Sequence, residues 1–399
     1  MNNHSRSDRS PASNSPLGHA ALSAFSLSTD RIHLNHGSYG AVPRKVQAEQ
    51  DWLRAHIEAD PTTFFGEELP DLMRAQAAHV ARHFGGNPQD WVFCENATAA
   101  VSGVLASFSL RPGDEILTTS HAYGAVLKAM RLNAQRRGAM LTVVELPAAV
   151  ESEDQIVETV RQAFTPRTRL LVIDHISSAT ALIFPVARIA EAARDAGVAV
   201  LVDGAHVPGH LPLDVPALGA DWYTGNAHKW LFAPRGCGLL WSAPARQSQT
   251  SPAVLSHGTG EGYTKAFDWI GTRDVTPWLC FEISANLHTE FGAGALMARN
   301  RALASEGASL IAERLGSKIA VPENLRGAMA AIPMAATTGS SDVAMQMRQA
   351  LTREHGIVAP IYEFGGRIWV RISAQIYNQI EDYPLCAEAL IKLRVRYGG

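Results

Sequence analysis

The 399-residue sequence has few lysines and few cysteines, and it lacks a long apolar run. Its 35 basic and 38 acidic residues give a formal net charge of −3. Because proteins bind nucleic-acid backbones through a basic field, nucleic acid is not an expected partner. No stretch approaches the roughly 18 apolar residues of a membrane-spanning helix, so no membrane partner is expected either.

The four cysteines, Cys94, Cys237, Cys280 and Cys386, lie far apart and form no CxxC pair. This spacing gives no signature of a structural zinc site or of a disulfide scaffold. We therefore expect no bound metal and a reducing, cytoplasmic compartment. Residues 1–25 are polar and rich in serine, and they predict a mobile N-terminal tail.

The middle of the chain alternates short apolar runs with amphipathic stretches, and this alternation predicts an α/β fold. Such folds have a mainly parallel sheet with helices on both faces, and they bind ligands at the carboxyl ends of the strands. The stretch 185–196 has apolar residues at helical spacing. The predicted strands are 91–93, 114–118, 141–146, 169–173, 198–202 and 238–241.

After residue 282 the pattern changes to a compact α+β unit. It begins with a long helical stretch, 283–315, and continues with a strand near 328–333 and a helix over 341–355. A strand pair flanking Gly365-Gly366 and a final helix over about 381–395 complete it. We therefore predict an N-terminal arm and large domain over 26–282, followed by a connecting helix and a small C-terminal domain over 283–399. One continuous domain is the alternative.

Asp203 and Lys229 carry the strongest chemical signal. Asp203 ends an apolar run, and Lys229, one of only six lysines, follows His228 at the end of the next run. A buried ion pair would explain both residues. The functional interpretation places a pyridine-ring cofactor between them, with Lys229 joined to its aldehyde as a Schiff base and Asp203 paired with its ring nitrogen.

Four short motifs then carry a family resemblance, namely 203–206 (DGAH), 224–230 (TGNAHKW), 271–274 (GTRD) and 371–375 (RISAQ). In this order they resemble the fold-type-I enzymes that depend on pyridoxal 5′-phosphate (PLP). Within that fold the chain is similar to the class V aminotransferase and cysteine desulfurase superfamily, and most to its isopenicillin N epimerase-like branch. The resemblance spans residues 34 to about 383, and it implies an amino-acid-type substrate and a homodimer with shared active sites.

The resemblance implies a set of cofactor-binding residues. Asn96, Ala97 and Thr98 open a helix whose N-terminus suits a phosphate, although Asn96 or Thr98 could simply cap that helix. Tyr123 matches the aromatic residue that stacks on the cofactor ring, and His121 is the alternative. The remaining implied cofactor ligands are His206 at the phenolic oxygen, Thr224 and His228 at the phosphate, and Thr272 at the phosphate of the neighbouring subunit.

Substrate binding is implied for Arg371 and for Asn35 and His36. Arg371 lies on a predicted strand whose apolar residues face the other way, and a guanidinium can bind a carboxylate through two parallel hydrogen bonds. A plainer interpretation is that Arg371 is an exposed arginine on the surface of that strand. Asn35 and His36 match an N-terminal segment that lines the substrate side of the pocket in the family.

The catalytic residues implied by the resemblance are Lys229, Asp203, Tyr123 and His206. Displaced from the aldehyde, Lys229 would be a general base at the substrate α-carbon. The resulting carbanion permits epimerisation, β-elimination or transamination. We expect an epimerase-like reaction, with a C–S lyase, a class V aminotransferase and a non-catalytic regulator as alternatives. A persulfide-type desulfurase is disfavoured because residues 334–345 contain no cysteine.

Overall fold

The structure, a computed structural model, describes residues 16–397, except for the side chains of 335–338. Within this range the strands form sheets of seven, three and two strands. The strands are β1 (Ile32–His33), β2 (Trp91–Cys94), β3 (Glu115–Thr119), β4 (Met140–Val144), β5 (Thr168–Asp174), β6 (Ala199–Gly204), β7 (Trp222–Asn226), β8 (Gly238–Ser242), β9 (Met329–Thr338), β10 (Ile357–Val358), β11 (Ile361–Phe364) and β12 (Arg367–Ser373).

The seven-stranded sheet has the order β2-β8-β7-β6-β5-β3-β4. Only β8 runs antiparallel to its neighbours, so the prediction of a mainly parallel sheet is confirmed. The carboxyl ends of β3, β5, β6 and β7 therefore lie side by side along one edge. The smaller sheets are the antiparallel β11-β12-β9 and the parallel pair β1-β10.

Helices cover these sheets, and among the described residues no helix is both long and apolar enough to span a membrane. A π-helical segment, Phe64–Glu68, interrupts the N-terminal helices. The α-helices are α1 (His36–Tyr39), α2 (Arg44–Ala59), α3 (Pro61–Thr63), α4 (Leu69–Phe84), α5 (Ala97–Ser107), α6 (Gly124–Arg137), α7 (Glu153–Gln162), α8 (Val186–Asp195), α9 (Ala227–Trp230), α10 (Tyr263–Asp268), α11 (Thr276–Leu279), α12 (Phe281–Glu290), α13 (Gly294–Leu315), α14 (Ser341–His355) and α15 (Asp382–Tyr397).

The bounds of α14 follow from capping. Ser340 accepts the Val343 N–H at its start, and Gly356 ends it in the left-handed conformation with φ +66°. These are the residue types that helix ends favour, so the sequence predicts this helix to the residue. The predicted helix 283–315, by contrast, is two helices, because Gly292 and Ala293 adopt positive φ between α12 and α13.

Two of the hydrophobic cores pack against different sheets. The larger packs the seven-stranded sheet against α4, α8 and α12 through residues such as Val80, Ile189 and Phe281. A second core joins β9 and β12 to α13, α14 and α15 through residues such as Ile332 and Leu390. The boundary at residue 282 itself stays a prediction.

The N-terminal segment differs from the tail predicted over 1–25, of which residues 1–15 lie outside the described part of the chain. Gly18–Ala24 form a 3₁₀ helix, and the Gly18 N–H donates to the Ile376 carbonyl at 2.8 Å. Phe25 is 1% exposed and packs against the rings of Phe232 and Tyr377. These buried contacts tie residues 18–25 to the fold.

Candidate active site

The sheet brings Asp203 and Lys229 to one edge. Asp203 is the next-to-last residue of β6, and Lys229 lies in the one-turn helix α9 directly after β7, the parallel neighbour of β6. Asp203 is 4% exposed, and its Oδ1 accepts the Ala205 N–H at 3.0 Å. No ion pair with Asp203 occurs among residues 16–397, so a simple buried salt bridge does not account for it.

Lys229 lies beside His206, and it is partly buried. The Lys229 Nζ lies 3.2 Å from the His206 Nε2. Burial, with the positive charge of Arg371 nearby, lowers the pKa of Lys229 to about 7. Burial also lowers the pKa of His206 well below its ordinary value, so this imidazole is neutral near pH 7. About half of the amine is therefore uncharged at pH 7, and this form can act as a nucleophile or base.

A cavity of about 330 Å³ opens beside this pair. Its walls come from segments that are distant in the sequence, and Lys229 and His206 line it together with Tyr123 and Arg371. Four of the predicted site residues thus meet in one place. The wall also contains residues that the sequence analysis did not single out: Ser38, Tyr39, Ser178 and Tyr362.

Arg371 is a buried cation that has no acidic partner among the described residues. It lies on β12 and is 4% exposed. Its Nη1 donates to the Ser178 carbonyl at 2.5 Å, and its Nη2 donates to the Ser38 Oγ at 2.8 Å. The Nε has no partner, and no carboxylate pairs with Arg371 in the described part of the chain. A buried guanidinium held by neutral oxygens alone favours an anionic ligand.

The N-terminus of α5 is the place predicted for the phosphate. Asn96 caps the helix by accepting the Ala99 N–H at 3.0 Å, and the Ala97 N–H donates to the Asn226 Oδ1 at 2.8 Å. These bonds leave the Thr98 N–H and hydroxyl for a ligand. His228 uses its Nδ1 on the Cys237 carbonyl at 3.2 Å, which leaves its Nε2.

Thr224 has a different role from the predicted one. It is fully buried, and its hydroxyl donates to the Leu239 carbonyl of the neighbouring strand at 2.9 Å. Asn226, two residues later, lies at the carboxyl end of β7 and uses its Oδ1 on the Ala97 N–H, so its amide nitrogen is available. The structure thus places Asn226, not Thr224, beside the predicted phosphate site.

Tyr123 and its alternative, His121, both line the cavity, but they differ in exposure and in hydrogen bonding. His121 is 1% exposed, with Nδ1 2.7 Å from the Thr180 Oγ1 and Nε2 3.2 Å from the Leu146 carbonyl. Both of its ring nitrogens are therefore engaged within the protein. Tyr123 is 46% exposed, so its ring is the more accessible of the two, and its stacking on the cofactor stays a prediction.

Asn35 and His36 do not line the cavity. The His36 ring packs against Trp230 and Phe232, its Nδ1 lies 2.9 Å from the Tyr377 hydroxyl, and burial lowers its pKa to about 3. Asn35 accepts the Ser38 hydroxyl at 2.5 Å. Asn35 and His36 thus lie behind the residues that line the cavity. Ser38 and Tyr39 line the wall where Asn35 and His36 were predicted to lie.

Thr272 lies on an exposed loop outside the cavity. Its neighbour Arg273 forms an ion pair with Glu95, the residue before Asn96, and its guanidinium lies 4.5 Å from the centroid of the Trp278 ring. The loop is therefore anchored beside the start of α5. The placement of Thr272 at the neighbouring subunit's phosphate stays a prediction.

The residues described fit PLP on structural grounds. The helix terminus, Thr98, Asn226 and His228 offer donors for the phosphate, Asp203 offers a carboxylate for the ring nitrogen, and Lys229 offers an uncharged amine for the aldehyde. Backbone packing supports this arrangement, since a Cβ on Gly238 would lie 2.6 Å from the Asn96 Cα. The fold and the site together define a fold-type-I PLP-dependent enzyme.

Comparison with known proteins gives the family. The family model described as "Aminotransferase class-V" matches residues 43–383, and the chain belongs to this family of PLP-dependent enzymes. It is 34% identical to an isopenicillin N epimerase from Streptomyces clavuligerus, with 90% of this chain and 94% of the relative covered. It is 33% identical to a putative L-cysteine desulfhydrase 1 from Oryza sativa subsp. japonica, with 90% and 82% covered.

Solved structures show the same fold. The cysteine desulfurase CsdA from Escherichia coli matches with a TM-score of 0.76 at 22% identity, covering 94% of this chain and 97% of that one. The cystine C-S lyase C-DES matches with a TM-score of 0.79 at 20% identity, covering 92% and 98%. The predicted fold, family and cofactor are therefore confirmed.

Proposed function

We propose that this protein epimerises an amino acid, or a compound derived from one, at its α-carbon. The observation that carries the proposal is that one cavity holds two groups: a buried guanidinium with no acidic partner in the part of the chain that the structure describes, and a lysine whose pKa is about 7. The first group suits an α-carboxylate, and the second suits removal of the α-proton. Similarity to two isopenicillin N epimerases, at 34% and 32% identity, supports the choice of reaction.

PLP, when bound, supplies an electron-withdrawing ring that stabilises negative charge at the α-carbon of an attached amino acid. With PLP bound, Asp203 would pair with the ring nitrogen and Arg371 would hold the substrate carboxylate. The uncharged amine of Lys229, on the wall of the same cavity, would take the α-proton. His206, 3.2 Å from the amine, orients it.

Epimerisation also needs a proton donor on the opposite face of the α-carbon. Tyr123 is the candidate, because its phenol is 46% exposed, lines the cavity and comes from the start of α6 rather than from α9. A donor on a separate element can reach a face that Lys229 cannot. This second proton carrier is what distinguishes an epimerase from an enzyme that only removes the α-proton.

β-Elimination from a cysteine-type substrate is the second candidate. L-cysteine desulfhydrases at 33% and 29% identity support it, and it would use the same Lys229 and Arg371. A persulfide relay is not supported, since all four cysteines are buried within the described residues and none lines the cavity. Transamination by a class V aminotransferase is the third possibility, and no contact in the cavity favours it.

Incubation with L- and D-amino acids in deuterium oxide tests the proposal. Epimerisation predicts that the recovered amino acid carries deuterium at its α-carbon, measured by mass spectrometry. It also predicts that the enantiomer appears, measured by chiral chromatography. Release of pyruvate and ammonia instead would replace epimerisation by elimination. Lys229→Ala should lose both the visible absorbance of covalently held PLP and the exchange, whereas Lys265→Ala, at an exposed lysine paired with Glu261, should keep both.

We further infer a homodimer with shared active sites, working in the cytoplasm. The exposed Thr272 loop anchored beside the phosphate site supports the shared site, and the four free cysteines support the reducing compartment. Sedimentation should give twice the 43.0 kDa chain mass. Mixing a Thr272→Ala chain with a Lys229→Ala chain should restore one intact site per mixed dimer, and an absence of restoration would contradict the sharing.

A further inference from the structure

A turn shortly after β5 holds Arg371 at the wall of the cavity. Residues 177–181 form this turn, and its Ser178 carbonyl accepts the Arg371 Nη1 at 2.5 Å. The same nitrogen also donates to the Ser178 Oγ at 3.2 Å, and the Ala179 carbonyl accepts the Tyr362 hydroxyl. Ser178 and Ala179 line the cavity together with Arg371. The orientation of the guanidinium therefore depends on the position of this turn.

The backbone of this turn includes a strained residue. Ala181 has φ +54°, a conformation that residues other than glycine rarely adopt. The Ala181 N–H donates to the Ser177 carbonyl at 3.2 Å, and the Ser177 N–H donates to the Leu182 carbonyl at 2.9 Å. Such a conformation persists only where the surrounding contacts hold it. The turn therefore needs contacts beyond its own backbone.

A chain of buried side-chain hydrogen bonds supplies these contacts. The Ser177 Oγ accepts the Leu182 N–H at 3.0 Å and lies 2.6 Å from the Thr180 Oγ1. The Thr180 Oγ1 lies 2.7 Å from the His121 Nδ1. Ser177, Thr180 and His121 are each at most 1% exposed. At this degree of burial, the loss of one member would leave its neighbours unpaired rather than bound to water.

The groups at the two ends of this chain set the direction of each bond. The His121 Nε2 lies 3.2 Å from the Leu146 carbonyl oxygen, which can only accept, so Nε2 carries the N–H of the ring. An imidazole of ordinary pKa is mostly neutral at pH 7, and burial lowers the pKa of His121 further. Nδ1 therefore accepts from the Thr180 hydroxyl, and Thr180 accepts from Ser177. At the other end, Ser177 accepts the Leu182 N–H.

We propose that Thr180 is a positioning residue, which acts on the substrate carboxylate through Arg371. Its hydroxyl joins His121 to Ser177, and this link fixes the turn on which the Ser178 carbonyl holds the guanidinium. Without the link the strained turn can relax, and Arg371 loses its fixed orientation. Thr180 itself does not line the cavity. The inference rests on Arg371 binding a carboxylate, as the proposed function requires.

Two small reagents isolate the recognition of a carboxylate. Aminooxyacetate and methoxyamine both capture the aldehyde of PLP and release the amine of Lys229, but only aminooxyacetate carries a carboxylate. The ratio of their capture rates with the PLP-loaded enzyme, divided by the ratio with free PLP, measures how well Arg371 recognises that group. Loss of the visible absorbance of the bound cofactor gives each rate. Damage elsewhere in the site changes both rates alike and leaves the ratio unchanged.

Thr180→Val keeps the size of the side chain and removes its hydroxyl. It should lower the rate ratio about tenfold, toward the value of Arg371→Gln, because the turn that orients the guanidinium loses a buried hydrogen bond. Thr180→Ser keeps the hydroxyl and should stay within about twofold of the wild type. If Thr180→Val does not fold, Ser177→Ala, which interrupts the same chain at the next hydroxyl, takes its place.

Thr118→Val is the matched control. Thr118 is also fully buried, and its hydroxyl donates to a backbone carbonyl, that of Val172 at 2.8 Å, but it does not line the cavity or contact the turn. This variant should lose stability toward urea and keep the rate ratio of the wild type. The comparison separates the position of Arg371 from a general loss of stability.

Three results would overturn the inference. A wild-type ratio in Thr180→Val would show that the chain does not position Arg371. A Thr180→Ser variant as impaired as Thr180→Val would show that packing of the methyl group matters rather than the hydroxyl. An unchanged ratio in Arg371→Gln would remove the carboxylate anchor itself. Failure of the proposed reaction gives a separate result, namely a wild type that favours aminooxyacetate but exchanges no α-hydrogen in deuterium oxide.

Discussion

Lys229 acquires its reactivity from its surroundings. In water a lysine amine is protonated at neutral pH, but here burial and Arg371 lower its pKa to about 7 while Asp203 and Asp174 partly oppose that change. The effect of burial on the pKa of Lys229 thus exceeds the opposite effect of its two acidic neighbours. This agrees with the large cost of placing a charge out of water. The same residue is thereby ready to react with an aldehyde and to take a proton.

The first prediction concerns the pH at which the apoprotein captures PLP. Only the uncharged amine of Lys229 attacks the aldehyde, so the capture rate should rise about tenfold per pH unit below pH 7 and level off above it. Stopped-flow absorbance measures this rate. Nα-acetyl-lysine is the control, and its rate should keep rising up to about pH 10. A protein rate that still rises above pH 9 would contradict the lowered pKa.

The second prediction compares two threonines of the predicted site. Thr98→Val should weaken PLP binding about tenfold to a hundredfold, because a hydrogen bond to a charged phosphate is lost. Thr224→Val should leave PLP affinity within about twofold and reduce only the free energy of unfolding, since its hydroxyl bonds to the Leu239 carbonyl. Equilibrium dialysis of the apoproteins decides between them, and equal losses would reject this assignment.

The sequence predicts the reactive residues of the site better than it predicts the residues that hold them in place. Asp203, Lys229 and Arg371 stand at strand ends or within a motif, so local patterns reveal them. Thr224 and Asn226 are two positions apart and face the same side of β7, so alternation cannot tell which one reaches beyond the strand. Ser38 and Ser178 join the cavity wall only through chain segments brought together by folding, which no local pattern records.

At the level of elements, β8 and the start of α5 depend on each other. Gly238 opens β8, and a Cβ there would lie 2.6–2.9 Å from the backbone atoms of Asn96. Backbone atoms cannot move aside as a flexible side chain can. The glycine therefore sets how closely the N-terminus of α5 approaches the end of β7, where Asn226 lies.

The third prediction follows from that contact. Gly238→Ala should displace Asn96, weaken PLP binding at least about tenfold and lower the free energy of unfolding by about 2 kcal/mol, a typical cost of overpacking. Gly294→Ala is the control, because a Cβ there has open space. Urea unfolding and PLP titration measure both effects. Normal PLP binding in Gly238→Ala would show that the terminus of α5 does not hold the phosphate.

Elements with regular patterns are the ones that the sequence predicts well. The buried stripe of α8 and the capping residues of α14 are local signals, and the structure has both helices where they are expected. The division between α12 and α13 depends on the backbone of Ala293 at φ +38°. Alanine rarely adopts this conformation, so the sequence carries no signal for the break. The 3₁₀ helix Gly18–Ala24 owes its place to distant partners such as Ile376.

Across the whole molecule, burial depresses the basicity of the imidazoles. Among the described residues, eight histidines have a pKa below the ordinary value, with burial as the largest cause. His210 shows why, since its Nε2 accepts the Ala328 N–H and its Nδ1 donates to the His206 carbonyl. Protonation would break the first of these bonds.

The fourth prediction is a loss of apoprotein stability in mild acid. The unfolded chain binds more protons at these histidines than the folded chain does, so the free energy of unfolding falls as the pH drops from about 6.5 to about 4. The raised pKa values of Asp174, Asp203 and Asp268 offset part of this fall. Urea unfolding at a series of pH values measures the slope.

A pair of variants tests this origin. His288→Gln keeps a donor for the Gly209 carbonyl but does not titrate, so it should reduce the slope by about 1.4 kcal/mol per pH unit between pH 4 and 6.5. His257→Gln, at an exposed histidine, should leave the slope unchanged. Equal slopes in both variants would show that the buried histidines do not cause the loss of stability in acid.

The four buried cysteines make the chain a convenient scaffold for site-specific labelling. Burial raises the pKa of each of these thiols, so each is a poor nucleophile toward maleimides and iodoacetamides at neutral pH. A single cysteine introduced at an exposed position, such as Lys265, would then react far faster than all four native thiols. Fluorophores or spin probes could report on the folded enzyme without first removing its own cysteines.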